Sequence, residues 1–214
     1  LLLENIANKE VISDTVFAMT LFRIAKVEVQ KQMPAESIAH VVQASKIYQI
    51  LEDSVHAASC FSHIAGIYTF VLEESEKAIP YFKKALAYNG IKDKQSFIRI
   101  NINYSSAEVG LDNFVEAIKK IRLAEKQAKK SDPNFLPSIY VQYSFIYYHF
   151  EKHKKSLEYA LLADSEIKKF PNYGRGTQEK IYWYLGLNYK ELEEYEKAIH
   201  YFEMLRGSHH LDPS

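Results

Sequence analysis

Small residues recur through this chain at an interval near forty. Ala44, Ala85, Ala124 and Ala163, with Leu205 in the fifth place, are separated by 41, 39, 39 and 42 residues. A longer pattern surrounds them. Its clearest copy is Tyr182-x-x-Leu185-Gly186-x-x-Tyr189 followed by Ala198-x-x-x-Phe202. A second is Phe61-x-x-Ile64-Ala65-x-x-Tyr68, then Ala78-x-x-x-Phe82-x-x-Ala85. A lone helical hairpin cannot bury both of its apolar faces, so a period of this length in helix-forming sequence predicts stacked hairpins. Such a stack presents a long concave surface, whose ordinary use is binding.

The helical spacing of apolar residues and the caps divide the chain into ten helices in five pairs. The first pair runs from about Ser13 to Lys31 and from Pro34 to Leu51. The second runs from Asp53 or Ser54 to about Leu72, and from Ser75 to Tyr88. Pro80 falls inside the fourth helix and is tolerable only near its start. Asn89-Gly90 is a stop. The third pair covers Lys94 to Val109 and Asn113 to Lys130, ended by Ser131-Asp132-Pro133. Pro137 to Phe150 and His153 to Phe170 form the fourth, and Pro171-Asn172-Tyr173-Gly174 is a break. Thr177 to Glu191 and Tyr195 to Leu205 form the fifth. The sequence therefore predicts an all-α superhelix of the solenoid type over residues 1–206, with repeats near 13–51, 54–88, 94–130, 137–170 and 177–205. A disordered tail is expected over 207–214.

Composition narrows the function classes. Lysine plus arginine number 27 and aspartate plus glutamate 27, which excludes broad, charge-driven binding to nucleic acid. The single cysteine, Cys60, cannot form an internal disulfide, which points to the cytoplasm. No apolar run approaches the roughly 20 residues that span a bilayer, so no membrane role is expected. No signal peptide is visible. The chain begins at Leu1 without methionine and lacks a polar capping helix at either end, so the natural protein is expected to continue on at least one side.

The spacing of Leu185-Gly186, Tyr189, Ala198 and Phe202 resembles the tetratricopeptide repeat. The stretched period resembles the Rap family of response-regulator aspartate phosphatases, which share peptide-binding repeats with quorum-sensing regulators of Gram-positive bacteria. Ala44-Ser45-Lys46-Ile47-Tyr48 is similar to that family's QALDIY segment, Ile64-Ala65-Gly66 to its IAG, and Ala78 to Ala85 to its AIPYFKRA. Arg99 to Ile118 resembles RTLYNIGLCKNSQSQYEDAI without a gap. Leu136-Pro137 falls where the family also opens a helix with Leu-Pro. The resemblance covers most of Phe22 to Ala163.

What the resemblance implies is a cytosolic signalling regulator that takes a short linear peptide in its groove and controls a protein partner such as a response regulator. Asn103 aligns with the asparagine that holds the peptide backbone in Rap-like proteins. An amide offers both a donor and an acceptor to a peptide group. Ile67 and Phe70 stand where the family has Asn and Asp, so that contact is lost or altered. The family's phosphatase glutamine lies in an N-terminal bundle outside this sequence, so no catalytic residue transfers and enzyme activity is undecided. The alternatives are a scaffold for larger protein partners and the sensor domain of a peptide-responsive transcription factor.

Registering the repeats places Arg23, Lys26, Ser59, Ser62, His63, Arg99, Asn103, Ser106, Gln142, Phe145, Trp183 and Tyr184 on the inner face. Cations there suit carboxylates and aromatics suit apolar side chains. Arg99 pairs either with a peptide carboxylate or with a neighbouring acid. Trp183 is either a groove anchor or, more in keeping with aromatics at helical spacing, core. His149 and His153 share a helix end but have no third ligand nearby, so no metal is expected. Cys60 beside Phe61 reads as a buried apolar residue rather than a nucleophile. Lys119-Lys120 and Lys129-Lys130 read as solvated faces. Tyr140, Tyr143, Tyr147 and Tyr148 read as packing. No phosphate loop or nucleophile triad occurs, and no cofactor is expected.

Overall fold

Ten α-helices form, in a computed structural model that describes residues 13–90, 92–170 and 175–209. They are α1 (Asp14–Gln30), α2 (Pro34–Ile50), α3 (Ser54–Phe70), α4 (Ser75–Asn89), α5 (Lys94–Val109), α6 (Phe114–Ser131), α7 (Leu136–His149), α8 (His153–Ile167), α9 (Arg175–Glu191) and α10 (Tyr195–His209). A short 3-10 turn, Pro133–Phe135, precedes α7, and no strand occurs among the described residues. The helix starts follow local chemistry. Ser13, Asp53 and Asn113 accept the backbone N–H three residues on, and Asp93 takes those of Gln95 and Ser96. Pro80 lies in the second turn of α4 and is exposed, where water can take the freed carbonyl.

Several boundaries differ from the sequence reading, among them the end of α3 at Phe70 rather than Leu72. Helix α8 stops at Ile167 rather than Phe170, and α9 begins at Arg175 rather than Thr177. Helix α10 runs to His209, past Gly207, rather than ending at Leu205. Residues 171–174, with the expected Pro-Asn-Tyr-Gly break, and 210–214, the rest of the expected tail, lie outside the described residues.

The forty-residue period has a backbone origin. Each hairpin turn holds a non-glycine residue in the left-handed region: Gln32, Glu73, Asp112, Glu151 and Glu193, with φ between 54° and 64°. They are spaced 41, 39, 39 and 42 residues apart, the same intervals as the small residues of the second helices. The residue after each closes the preceding helix. Met33, Lys152 and Glu194 donate to the carbonyls of Glu28, Tyr147 and Tyr189, five residues back, at 2.9, 2.8 and 2.8 Å. In the second turn Glu74 reaches six residues back, to Tyr68 at 2.8 Å, so that turn is one residue longer. Glu52, between α2 and α3, is a sixth left-handed residue of this kind (φ 55°).

With the turn fixed, the helices of a pair meet at small side chains. Ala25 and Ser37, Ala65 and Ala78, Ser144 and Ser156, and Gly186 and Ala198 are all buried. Ser37 Oγ donates to the Ala25 carbonyl at 2.8 Å, and Ser156 Oγ to the Ser144 carbonyl at 2.8 Å. Ser105 and Ala117 hold the same register in α5 and α6 and are buried too. One turn further along, stacked tyrosines close the pair: Tyr68 on Tyr81, Tyr147 on Tyr159 and Tyr189 on Tyr201, with centroids 5.7, 5.4 and 5.7 Å apart. In the first pair a hydrogen-bond contact between Glu28 Oε2 and His40 Nδ1 at 2.8 Å occupies this place.

The chain divides into two compact units between Leu111 and Asp112. The first has a core of Phe17, Leu21, Val41, Tyr48, Phe61, Ile64, Phe82 and Tyr104, with Phe82 stacked on Tyr104 at 5.1 Å. The second is built on Ile121, Ile139, Tyr143, Ile146, Ile181 and Leu185. There Tyr143 is buried, stacks on Tyr159 at 4.5 Å and donates its hydroxyl to Glu125 Oε2 at 2.8 Å. Tyr140, Tyr143 and Tyr147 thus pack as their spacing implies.

Two outcomes test this account. A left-handed L-residue costs about 1–2 kcal/mol, most of which glycine recovers at the expense of chain entropy. Glu193→Gly is therefore expected to raise stability by about 0.5–1 kcal/mol in urea unfolding. A Cβ on Gly186 would stand 2.6 Å from the Phe202 ring. Gly186→Val is expected to lose about 1–3 kcal/mol in the same measurement, through overpacking at the crossing.

Candidate functional site

The leading helices of the first unit, α1, α3 and α5, wall a cleft of about 540 Å³. Helix α1 contributes Phe22, Lys26 and Val29, a stripe at helical spacing. Helix α3 contributes Ser59, Ser62, His63, Gly66, Ile67 and Phe70. Helix α5 contributes Ser96, Arg99, Ile100 and Asn103. Among the described residues the cleft is thus lined by two cations, Lys26 and Arg99, and by no carboxylate. Lys26 Nζ lies 4.9 Å from the Phe22 ring centroid, and that ring meets His63 edge-on at 5.3 Å. Arg99 Nη2 donates to Gln95 Oε1 at 3.2 Å. The Asn103 carboxamide makes no hydrogen bond among the described residues.

His63 is the titratable centre of the cleft. Its Nε2 is buried without a partner among the described residues. Burial, and then the positive charge of Lys26, hold its pKa below the ordinary 6.5, so the ring is neutral at pH 7. Gly66 forms bare floor, with no atom within 4 Å of where a Cβ would stand. Ile67 is buried in one wall, while Phe70 is 55% exposed at the mouth. The two positions that depart from the Rap pattern therefore give this end of the cleft an apolar lining.

A second cleft, of about 520 Å³, lies within the second unit between α7, α9 and the turn into α8. Phe145, Tyr148 and His149 of α7 face Trp183, Tyr184, Leu187 and Glu191 of α9, with Glu151 and His153 at one end. Tyr184 sits 6.3 Å from Phe145 and 6.2 Å from Tyr148 between ring centroids. Burial, and then Tyr148, push its hydroxyl up to about 12. The Tyr148 hydroxyl donates to Glu191 Oε1 at 3.3 Å. His149 Nε2 meets Asp112 Oδ1 at 3.1 Å, and His153 lies edge-on to Tyr148 at 5.3 Å. Among the described residues no group of three or more histidine, cysteine or acidic side chains could hold a metal.

Of the twelve residues placed on the inner face, Lys26, Ser59, Ser62, His63, Arg99 and Asn103 share the first cleft, and Phe145, Trp183 and Tyr184 share the second. Arg23, Ser106 and Gln142 line neither. Arg23 lies about a quarter-turn of helix from the Phe22, Lys26 and Val29 stripe. Ser106 is a turn beyond Asn103, and Gln142 a turn before Phe145. Trp183 is not core: it is 46% exposed, with its edge toward Phe202 at 5.8 Å. Tyr148, read as packing, lines the second cleft. Cys60 is buried, and burial followed by the Asp53 charge pushes its thiol up to about 12, so it is no nucleophile at pH 7. Sequence reasoning missed Phe22, Val29, Leu187 and Glu191. Each lies three, four or seven residues from a residue it did select, the spacing that marks one helix face.

No protein-family model and no curated protein matches the sequence. Solved structures do. RapI in its apo form is similar over 93% of this chain and 55% of its own, with TM-score 0.77 and 19% identity. BtubC (BKLC) from P. vanneervenii is similar over 99% and 89%, with TM-score 0.78 and 16% identity. A Rap protein complexed with Competence and Sporulation Factor is similar over 94% and 66%, with TM-score 0.67 and 17% identity. This is a tetratricopeptide-repeat fold resembling that of Rap proteins. The chain spans about half the length of RapI. Among its described residues no helix is long and apolar enough to cross a membrane.

The neutral His63 gives a pH test. Between pH 6.5 and its lower folded pKa the unfolded chain binds a proton that the folded chain does not. Stability is expected to fall on acidification through that window. Urea midpoints at pH 7.5 and 5.5 should show a smaller loss for His63→Gln than for the parent.

Proposed function

We propose that this chain is the peptide- and protein-binding repeat domain of a cytoplasmic signalling regulator, and that the cleft of its first unit receives a short linear peptide. The observation that carries this reading is the cleft's own chemistry. Lys26 and Arg99 line it, its described lining includes no carboxylate, and the Asn103 carboxamide there makes no hydrogen bond among the described residues. Lys26 and Arg99 take a carboxylate of the peptide. Asn103 pairs with a backbone amide in both directions, whatever the side chains. Ile67 and Phe70 take an apolar residue. The likeness to a Rap protein solved with Competence and Sporulation Factor supports a peptide ligand. Control of a response regulator would be exerted through parts that RapI has beyond the span matched here.

A second reading, a scaffold for larger proteins, draws on the apolar rim beside the cleft, where Phe70, Val71 and Leu72 are 55%, 42% and 36% exposed. A panel of blocked hexapeptides that pair one acidic with one apolar residue, titrated calorimetrically, separates the two. Under the peptide reading, Asn103→Ala weakens the best binder about tenfold, in line with loss of a buried hydrogen-bond partner. Lys26→Gln with Arg99→Gln abolishes the preference for the acidic residue. Unchanged affinity in both variants would leave the scaffold reading.

A further inference from the structure

The second unit's cleft has the opposite chemistry. Its walls are the rings of Phe145, Tyr148, Trp183 and Tyr184, its carboxylates are those of Glu151 and Glu191, and among the described residues no lysine or arginine lines it. Aromatic faces present negative quadrupole density, and a cation held against them near a carboxylate gains from both. A planar guanidinium exploits flat walls better than an ammonium does.

Lys154 lines an adjoining pocket with Glu151 and His153 and makes no ion pair among the described residues, while other nearby cations have partners. Lys152 Nζ lies 5.8 Å from the Phe114 ring, and Lys155 pairs with Glu158 at 2.7 Å. Lys190 reaches Glu191 at 3.4 Å from outside the cleft, with both side chains solvated, a contact of small worth. Glu151 makes no ion pair among the described residues, although it occupies a left-handed turn position (φ 56°). The histidines on the rim are His149, held by Asp112, and His153, edge-on to Tyr148.

We propose that this cleft is a second, separate binding site that takes an arginine side chain of a partner polypeptide, stacked on the aromatic walls and paired with Glu151 and Glu191. The site does not depend on the peptide reading of the first unit. The two clefts would select opposite charges.

Trp183 is the chain's single tryptophan, so its emission reports this cleft alone. The probe is a blocked Gly-Gly-Arg-Gly-Gly peptide titrated into the full chain. Its partner is the same peptide with citrulline, the neutral isostere of arginine. The arginine peptide is expected to change Trp183 emission saturably, with the citrulline peptide about fivefold weaker or more. Glu151→Gln with Glu191→Gln should bring arginine down to the citrulline level. Both glutamates are exposed, and an unchanged far-ultraviolet spectrum will show that the fold is kept. Equal responses to arginine and citrulline, no response to arginine, or a preference that survives the double substitution would each overturn the proposal.

Discussion

Everything in this fold depends on a turn that forces an L-residue into the left-handed region. Once Gln32, Glu73, Glu151 or Glu193 takes positive φ, the next N–H folds back onto the carbonyl of the leading helix, and the second helix leaves at a set angle and phase. That phase brings Ala25 onto Ser37 and Ser144 onto Ser156, where only small side chains let the backbones approach. It also brings Tyr147 onto Tyr159 and Tyr189 onto Tyr201. The turn and the crossing reinforce one another. Packing holds the strained residue in place, and the strained residue keeps the small side chains in register.

The same register distributes the chemistry. Arg23, His63, Asn103, Gln142 and Tyr184 each stand two residues before the buried small residue of their helix, a position that turns away from the partner helix. Within the first unit this position and its helical neighbours yield a cleft with cations and an amide. Within the second they yield one with aromatic rings and carboxylates. One backbone plan carries two surfaces of different chemistry, because inner-face side chains escape the packing rules that hold Ala and Ser at the crossings.

The helices were readable in the sequence because apolar stripes and caps such as Asp53 and Asn113 are local signals. The turns were not. Their left-handed positions hold Glu, Gln and Asp instead of the Gly or Asn that usually marks them, so only the period betrayed them. Trp183 misled for a related reason. An aromatic at helical spacing looks the same whether its face meets a core or a cleft, and only the position of Phe202 decides it. That Arg23, Ser106 and Gln142 line neither cleft reflects geometry finer than periodicity. A residue a turn too far along a helix, or a quarter-turn around it, keeps the pattern and leaves the cleft.

The one-residue-longer turn before Glu73 leaves Ala65 at the crossing and gives Gly66 the position held elsewhere by Lys26, Phe145 and Leu187. A glycine in mid-helix weakens α3 by about 1 kcal/mol relative to alanine. Nothing in the packing calls for it, since the space above it is empty. Durability and vacancy are thus opposed at a single residue. Any methyl that firmed the helix would also raise the floor on which a guest's main chain could rest.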